Sequence, residues 1–144
     1  MNPALKDRAL RALARREHSR AELARKLAPH GTAEEIDTLL TELQQSNLLS
    51  DARFAESLVR SRGARFGPAK LRHTLRARGV ADELIATALA SDDAGELAHA
   101  REVWRRKFAA PPVDRHDFAR QARFLQGRGF SSETIRRLLK ELAA

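Results

Sequence analysis

Residues 57–81 read SLVRSRGARFGPAKLRHTLRARGVA. Seven cations fall within them (Arg60, Arg62, Arg65, Lys70, Arg72, Arg76 and Arg78), and no carboxylate lies between Glu56 and Asp82. Gly63 and Gly67 break the segment in its middle. Pro68 then suits the first turn of a new helix, where its missing N–H has no partner to lose. Leu71 and Leu75 are four apart and share one side of that helix, as core packing requires. Arg72 and Arg76 share another side. Like charges at that spacing cost about a few tenths of a kcal/mol. An anionic partner turns this repulsion into attraction; a solvated basic face is the plainer alternative.

The same pattern recurs on either side. Asn2 and Pro3 read as the cap and first turn of a helix whose apolar stripe is Leu5, Ala9, Leu10, Leu13 and Ala14. Ser19 with Glu22, and Thr32 with Glu35, have the spacing of capping boxes. Leu23 and Leu27 face inward on the first of these helices, which Pro29 and Gly31 end. Ile36, Leu39, Leu40 and Leu43 face inward on the second, and Asn47 is suited to a left-handed turn after it. Ser50 or Asp51 caps a helix carrying Phe54, Ala55, Leu58 and Val59. Gly79 ends the Pro68 helix, and Val80, Ile85 and Leu89 belong to the helix after it.

A third round begins near Asp92, with Leu97, Ala100, Trp104 and Phe108 in one stripe. Residues 109–113 (AAPPV) cannot be helical. Asp114 caps a helix with Phe118, Ala122 and Leu125 inward, ending at Gly129. Phe130 precedes the cap Ser131 and is placed to staple onto Ile135. Leu138, Leu139 and Leu142 complete the last helix. Leu27–Gly31–Ile36, Leu75–Gly79–Ile85 and Leu125–Gly129–Ile135 share their order, and each glycine is expected past a helix end with positive φ. Three three-helix repeats follow, residues 1–50, 51–91 and 92–144. The fold expected is all-α, a tandem array that is elongated and curved. A single globular bundle is the alternative.

Composition agrees with helix and with an anionic partner. Aromatic residues make up only 5% of the 144-residue chain, so the core is built from Leu and Ala. The net charge of +8 points to nucleic acid, an acidic protein surface or an anionic membrane. It is unevenly spread: residues 51–91 hold eight basic and four acidic side chains, against eight and seven in residues 1–50. There is no cysteine, which excludes disulfides and thiolate chemistry. No apolar run approaches the roughly 20 residues of a membrane span. A cytoplasmic protein is expected.

Catalytic patterns are missing. The five histidines (His18, His30, His73, His99 and His116) include no i, i+4 pair for zinc and are expected at the surface or half-buried. No phosphate-binding glycine loop and no nucleophile elbow occurs. The pairs Glu34/Glu35, Asp82/Glu83 and Asp92/Asp93 fall at helix starts, where they complement the dipole. No metal, cofactor or enzymatic activity is expected. Phe66 is the one aromatic expected to be exposed. With so little aromatic surface, nucleic-acid contact falls on phosphate, salt-sensitive and weakly selective.

These residues resemble the RecX family of regulators of the RecA recombinase. The resemblance runs through Leu48-Leu49-Ser50-Asp51-Ala52-Arg53-Phe54-Ala55, then Arg62-Gly63-Ala64-Arg65-Phe66-Gly67-Pro68 with Leu71, Leu75 and Gly79. It returns at Arg123-Phe124-Leu125-Gln126-Gly127-Arg128-Gly129-Phe130, and more loosely at Ser19, Glu22-Leu23 and Leu27. Asn47 and Ser50 depart from the family pattern, at positions where they still terminate or cap a helix.

The resemblance implies a protein of DNA repair and recombination that lodges in the groove of the RecA–single-stranded DNA filament. There it suppresses ATP hydrolysis, filament growth and strand exchange. The partners implied are the RecA filament and single-stranded DNA, with weaker binding to double-stranded DNA, by a monomer without cofactors. The contact candidates are Arg60, Arg62, Arg65, Lys70, Arg72 and Arg76, then Arg105, Arg106, Lys107, Arg120 and Arg123. Phe54, Gly67, Leu71, Leu75, Gly79, Gly129 and Phe130 are assigned to the fold. Asp51 is read as a cap and Arg53 is left between the two roles.

Two other classes stay open, a stand-alone DNA-binding module and a helical-repeat scaffold. Ser19–Leu43 has the outline of a helix-turn-helix. Its second helix, however, carries Glu34, Glu35, Asp37 and Glu42 and no cation, which is wrong for a groove reader. Solution scattering tests the array: a profile longer than that of a sphere of this mass is expected, and a compact globule overturns it.

Overall fold

A computed structural model of the chain describes residues 2–90 and 95–143. Among the described residues lie nine α-helices, one 3-10 turn and no strand. The helices are α1 (Pro3–Arg15), α2 (Arg20–Leu27), α3 (Ala33–Gln45), α4 (Asp51–Arg62), α5 (Pro68–Ala77), α6 (Asp82–Ala90), α7 (Gly95–Lys107), α8 (Arg115–Gly127) and α9 (Ser132–Ala143). The expected restart near Asp92 and the Asp92/Asp93 pair lie outside the described residues.

Local chemistry sets the helix starts. Asn2 accepts the Leu5 N–H, and Ser19–Glu22 and Thr32–Glu35 form complete capping boxes. Each such cap contributes about 1 kcal/mol. Asn47 leaves α3 with φ of 62°. Ser50 is the cap of α4, its Oγ accepting the Arg53 N–H at 3.2 Å. Asp51 acts elsewhere: its carboxylate accepts the Arg20 N–H at 2.7 Å and so caps the start of α2. Arg53 pairs with Glu17 at 3.0 Å.

The chain forms two compact units. The first joins Met1–Ser57 to Leu75–Ala88, and the second joins Leu58–Thr74 to Leu89–Ala144. The core of the first includes Leu5, Ala9, Ala12, Leu23, Leu27, Leu40, Leu43 and Leu49. Ala12 is buried where the sequence suggested Leu10 and Ala14, which are exposed. Leu10 is five residues beyond Leu5, about 140° round a helix of 3.6 residues per turn, and so leaves the buried side.

In this unit the end of α5 meets the start of α2. The Ser19 hydroxyl donates to the Arg78 carbonyl at 2.6 Å while accepting the Glu22 N–H at 3.1 Å. Glu22 then receives Arg16 at 2.8 Å and Arg78 at 2.6 Å. Burial works to raise the Glu22 pKa, but the Arg16 hydrogen bond and the two guanidinium charges outweigh it and hold the group below the usual carboxylate range. Gly79 turns here with φ of 80°, and a Cβ on it would lie 2.5 Å from that of Ala21. His18 is fully buried rather than at the surface. Its Nδ1–H donates to the Arg16 carbonyl at 3.0 Å, and its buried Nε2 has no partner.

The second unit repeats the junction with other residues. The end of α8 meets the start of α5. The Gly67 N–H donates to the Arg128 carbonyl at 2.6 Å, and the Ala69 N–H to the Gly129 carbonyl at 3.2 Å. Gly129 has φ of 97°. A Cβ on Gly67 would sit 2.6 Å from the Gly129 oxygen, and one on Gly129 would sit 2.5 Å from the Lys70 Cβ.

Gly31, aligned with Gly79 and Gly129, does not share their positive φ. It is extended at φ −166° after the 3-10 turn Ala28–His30, and it packs on Leu5. Gly79 and Gly129 each receive the start of a helix from an earlier repeat, whereas Gly31 follows a 3-10 turn and meets the Leu5 side chain instead.

The core of the second unit includes Ala100, Val103, Trp104, Phe108, Leu125, Phe130, Ile135, Leu138 and Leu139. Phe118, expected inward, is 36% exposed. Gln121 is buried in its stead because the Trp104 indole N–H needs an acceptor, and Gln121 Oε1 lies 2.7 Å away.

Substitutions at two glycines and one histidine test this packing. Gly67→Ala is expected to destabilise the protein by about 1–3 kcal/mol, as overpacking does. Gly127→Ala, with nothing within 4 Å of the new Cβ, should be neutral or stabilise by up to about 1 kcal/mol. Urea unfolding of the two variants measures both. Burial holds His18 below its ordinary value of 6.5, against the opposing effect of its bond to the Arg16 carbonyl. The unfolded chain therefore takes up this proton first. Stability is full above about pH 6.5 and falls as the pH drops from there towards the lower folded value. His18→Leu should flatten the fall in unfolding free energy between about pH 7 and pH 5; an unchanged slope refutes the assignment.

Candidate functional site

The Gly67–Gly129 junction brings Phe66 to the end of α8. The Phe66 ring is half-buried, not exposed as the sequence suggested, because cations cover it. Lys70 Nζ lies 4.6 Å from its centroid, Arg128 Cζ 5.4 Å and Arg65 Cζ 5.8 Å. Arg128 also lies 5.1 Å from the Phe124 ring, which receives Lys107 Nζ at 5.5 Å. Phe124 meets Phe108 edge-on at 5.4 Å, and Arg120 Cζ lies 5.2 Å from Phe108. Aromatic rings and cations thus interleave along one row, with Phe124 and Phe108 in direct contact, all within the second unit. Each cation over a ring gains about 0.5–1 kcal/mol at an exposed site.

The row holds its cations without neutralising them. Arg65, Lys70, Lys107 and Arg128 pair with no carboxylate among the described residues; Lys70 reaches the Gly127 carbonyl at 3.5 Å. Arg120 differs, being paired with Asp117 at 2.6 Å. Its hydrogen bond and charge hold Asp117 below the usual carboxylate range. A row of unpaired cations braced on ring faces presents directed N–H donors to an anion with little ordering left to do.

The other sequence candidates divide. Arg60 and Arg72 are exposed and Arg62 half-buried in the same unit. Arg60 and Arg62 lie in the last turn of α4, where the helix dipole partly balances them. Arg76 belongs to the first unit and is bonded to Asp82 at 2.9 Å. Arg105 is held by Glu102 at 2.8 Å. Arg106 and Arg123 are exposed, with no carboxylate partner among the described residues. Arg128 was not among the candidates. Its place between Gly127 and Gly129 read only as a helix end, and its partner ring, Phe124, read only as core. The signal was the basic residue inside the very turn that meets Gly67.

Among the described residues no group of three or more His, Cys, Asp or Glu could hold a metal ion. Nor, among these residues, is any helix long and apolar enough to cross a membrane.

Comparison with known proteins gives a consistent set of matches. Family models described as the first, second and third three-helix domains of RecX match residues 6–43, 50–89 and 94–139. The regulatory protein RecX of Leptothrix cholodnii is 50% identical over 137 residues, covering 94% of this chain and 87% of that protein. The RecX of Herbaspirillum seropedicae is 51% identical over 133 residues, covering 92% and 86%. The crystal structure of RecX from Lactobacillus salivarius superposes with a TM-score of 0.83 at 23% identity, over 97% of this chain and 95% of that one, which speaks for the fold. With its three helical domains matched in order and half its residues shared with a relative along almost its full length, the chain belongs to the RecX family of regulatory proteins.

Proposed function

We propose that this chain is a negative regulator of the RecA recombinase, binding in the groove of the RecA–single-stranded DNA filament. There it inhibits ATP hydrolysis, filament growth and strand exchange. Family membership supports the recombinase as partner. The observation that carries the mode of binding is the row of unpaired cations around Phe66 and Phe124, which suits an assembly rich in phosphate. Binding occupies a surface and needs no catalytic group.

Arg65, Lys70, Lys107 and Arg128 form the centre of the proposed contact, with Arg60, Arg62, Arg72, Arg106 and Arg123 in support. Arg76, Arg105 and Arg120 are already paired within the chain and contribute less, since an anion must compete with Asp82, Glu102 or Asp117. The contacts go mainly to phosphate, so binding weakens steeply with salt and depends little on sequence.

The test is RecA ATP hydrolysis on single-stranded DNA, with the protein titrated into filaments already formed. Loss of hydrolysis is expected at well under one copy per recombinase protomer. No loss, with salt-sensitive binding to bare DNA retained, would make the chain a stand-alone DNA-binding module instead. The triple reversal Arg65→Glu, Lys70→Glu and Arg72→Glu should weaken inhibition at least tenfold with helicity unchanged. Full inhibition by that variant would remove these residues from the contact.

A further inference from the structure

The first repeat carries almost no net charge, yet its charges are sorted. Arg8, Arg11 and Arg15 follow at spacings of three and four residues and so share one side of α1. Together with Lys26 of α2 and His30 of the 3-10 turn, they line a groove of about 280 Å³. Its remaining lining is Ala12 and Leu27, both buried, which make an apolar floor. Among the described residues no carboxylate lines it.

A second groove of the same repeat has the opposite character. About 370 Å³ in volume, it is lined by Glu34, Glu35 and Glu42, with Lys6 as its one cation among the described residues. The basic groove is therefore not a sample of a uniformly basic surface. Nor is it neutralised from within. Arg11 pairs with Asp7 at 2.7 Å, but Arg8, Arg15 and Lys26 pair with no carboxylate among the described residues. Arg15 and Lys26 stand in last helical turns, where the dipole partly balances them. Arg8, mid-helix, has no such compensation.

The spacing favours a chain of anions over a single one. Seven residues of helix from Arg8 to Arg15 rise about 10.5 Å. A nucleic-acid strand in a duplex advances about 3.4 Å per phosphate along the axis. The row thus spans several phosphates. Among the described residues no Phe, Tyr or Trp lines the groove, so it offers little stacking surface and recognition rests mainly on phosphate.

We propose that this groove is a second phosphate-binding site, taking a chain of phosphates through Arg8, Arg15 and Lys26 with Arg11 and His30 at its rim. It shares no residue with the row around Phe66, and it needs no recombinase to act. A nucleic-acid backbone and a free polyphosphate both carry the required chemistry.

The full chain is compared with the variant Arg8→Gln, Arg15→Gln, Lys26→Gln. A control, Arg136→Gln, Arg137→Gln, Lys140→Gln, removes the same charge from exposed positions of α9. Anisotropy of a labelled oligo-dT across a salt series and calorimetry with tripolyphosphate provide the two readouts. For a nucleic-acid strand, the groove variant should lose about tenfold in oligo-dT affinity near 0.1 M salt. Its slope of log K against log salt should shrink by about two, at roughly 0.7 for each phosphate no longer neutralised. For a free polyphosphate, tripolyphosphate binding should be saturable in the parent and abolished in the groove variant while oligo-dT binding is unchanged. Unchanged binding of both probes overturns the site, and so does an equal loss in the α9 control, which would reduce it to net charge.

Discussion

The two compact units rest on one kind of contact, the end of one helix set against the start of another with a glycine where the backbones meet. In the second unit the Gly67 N–H reaches the Arg128 carbonyl at 2.6 Å, a separation that leaves no room for a β-carbon on either Gly67 or Gly129. In the first, Gly79 makes the turn and the Ser19 hydroxyl takes up the Arg78 carbonyl. Each contact satisfies a carbonyl that the ending helix leaves without an internal partner. The helix end is thereby fixed by geometry as well as by apolar packing, which matters in repeats whose cores are small. The price is intolerance of side chains at these glycines.

The same contact creates the charged surface. Arg128 hands its carbonyl to Gly67 while its guanidinium lies between the rings of Phe66 and Phe124. Backbone and side chain of one residue therefore serve fold and surface separately. A substitution that keeps the backbone at Arg128 removes charge from the row, whereas one at Gly67 disturbs the support of every ring and cation around it. Ring faces hold the cations in place of carboxylates. That choice preserves positive charge, since an aromatic quadrupole attracts a cation without cancelling it. Arg120 shows the alternative: over Phe108 it is also bound by Asp117, and its charge is largely balanced inside the chain.

Much of this was legible in the sequence, and the misses have physical reasons. Caps and stripes rest on contacts three or four residues apart, so Ser19–Glu22, Thr32–Glu35, Asn47 and the buried Leu71 and Leu75 could be read directly. The basic glycine segment could be read too. Contacts between distant segments could not. Asp51 sits at the start of its own helix and caps another, thirty-one positions away. Gln121 displaces Phe118 from the core because one indole N–H needs an acceptor. His18 lies one residue before a capping box and is buried by packing that no periodicity signals. Arg128 and Phe124 looked like a helix end and a core ring, and only the fold sets the Arg128 guanidinium against both Phe124 and Phe66.

Charge summed over a segment hides detail in the same way. The middle of the chain stands out because a long stretch of it lacks carboxylates, whereas the abundant acids of the first repeat nearly cancel its cations. Yet sorting matters more than sum. A helical repeat with acids lining one groove and arginines lining another projects a field as directional as that of a uniformly basic segment, because at about 0.15 M salt charges more than about 8 Å apart hardly compensate one another. The acidic groove of Glu34, Glu35 and Glu42 repels what the Arg8–Arg15 groove attracts. Near neutrality in the first repeat is therefore compatible with strong preference for where an anion binds, since sorted charge sets orientation as well as affinity.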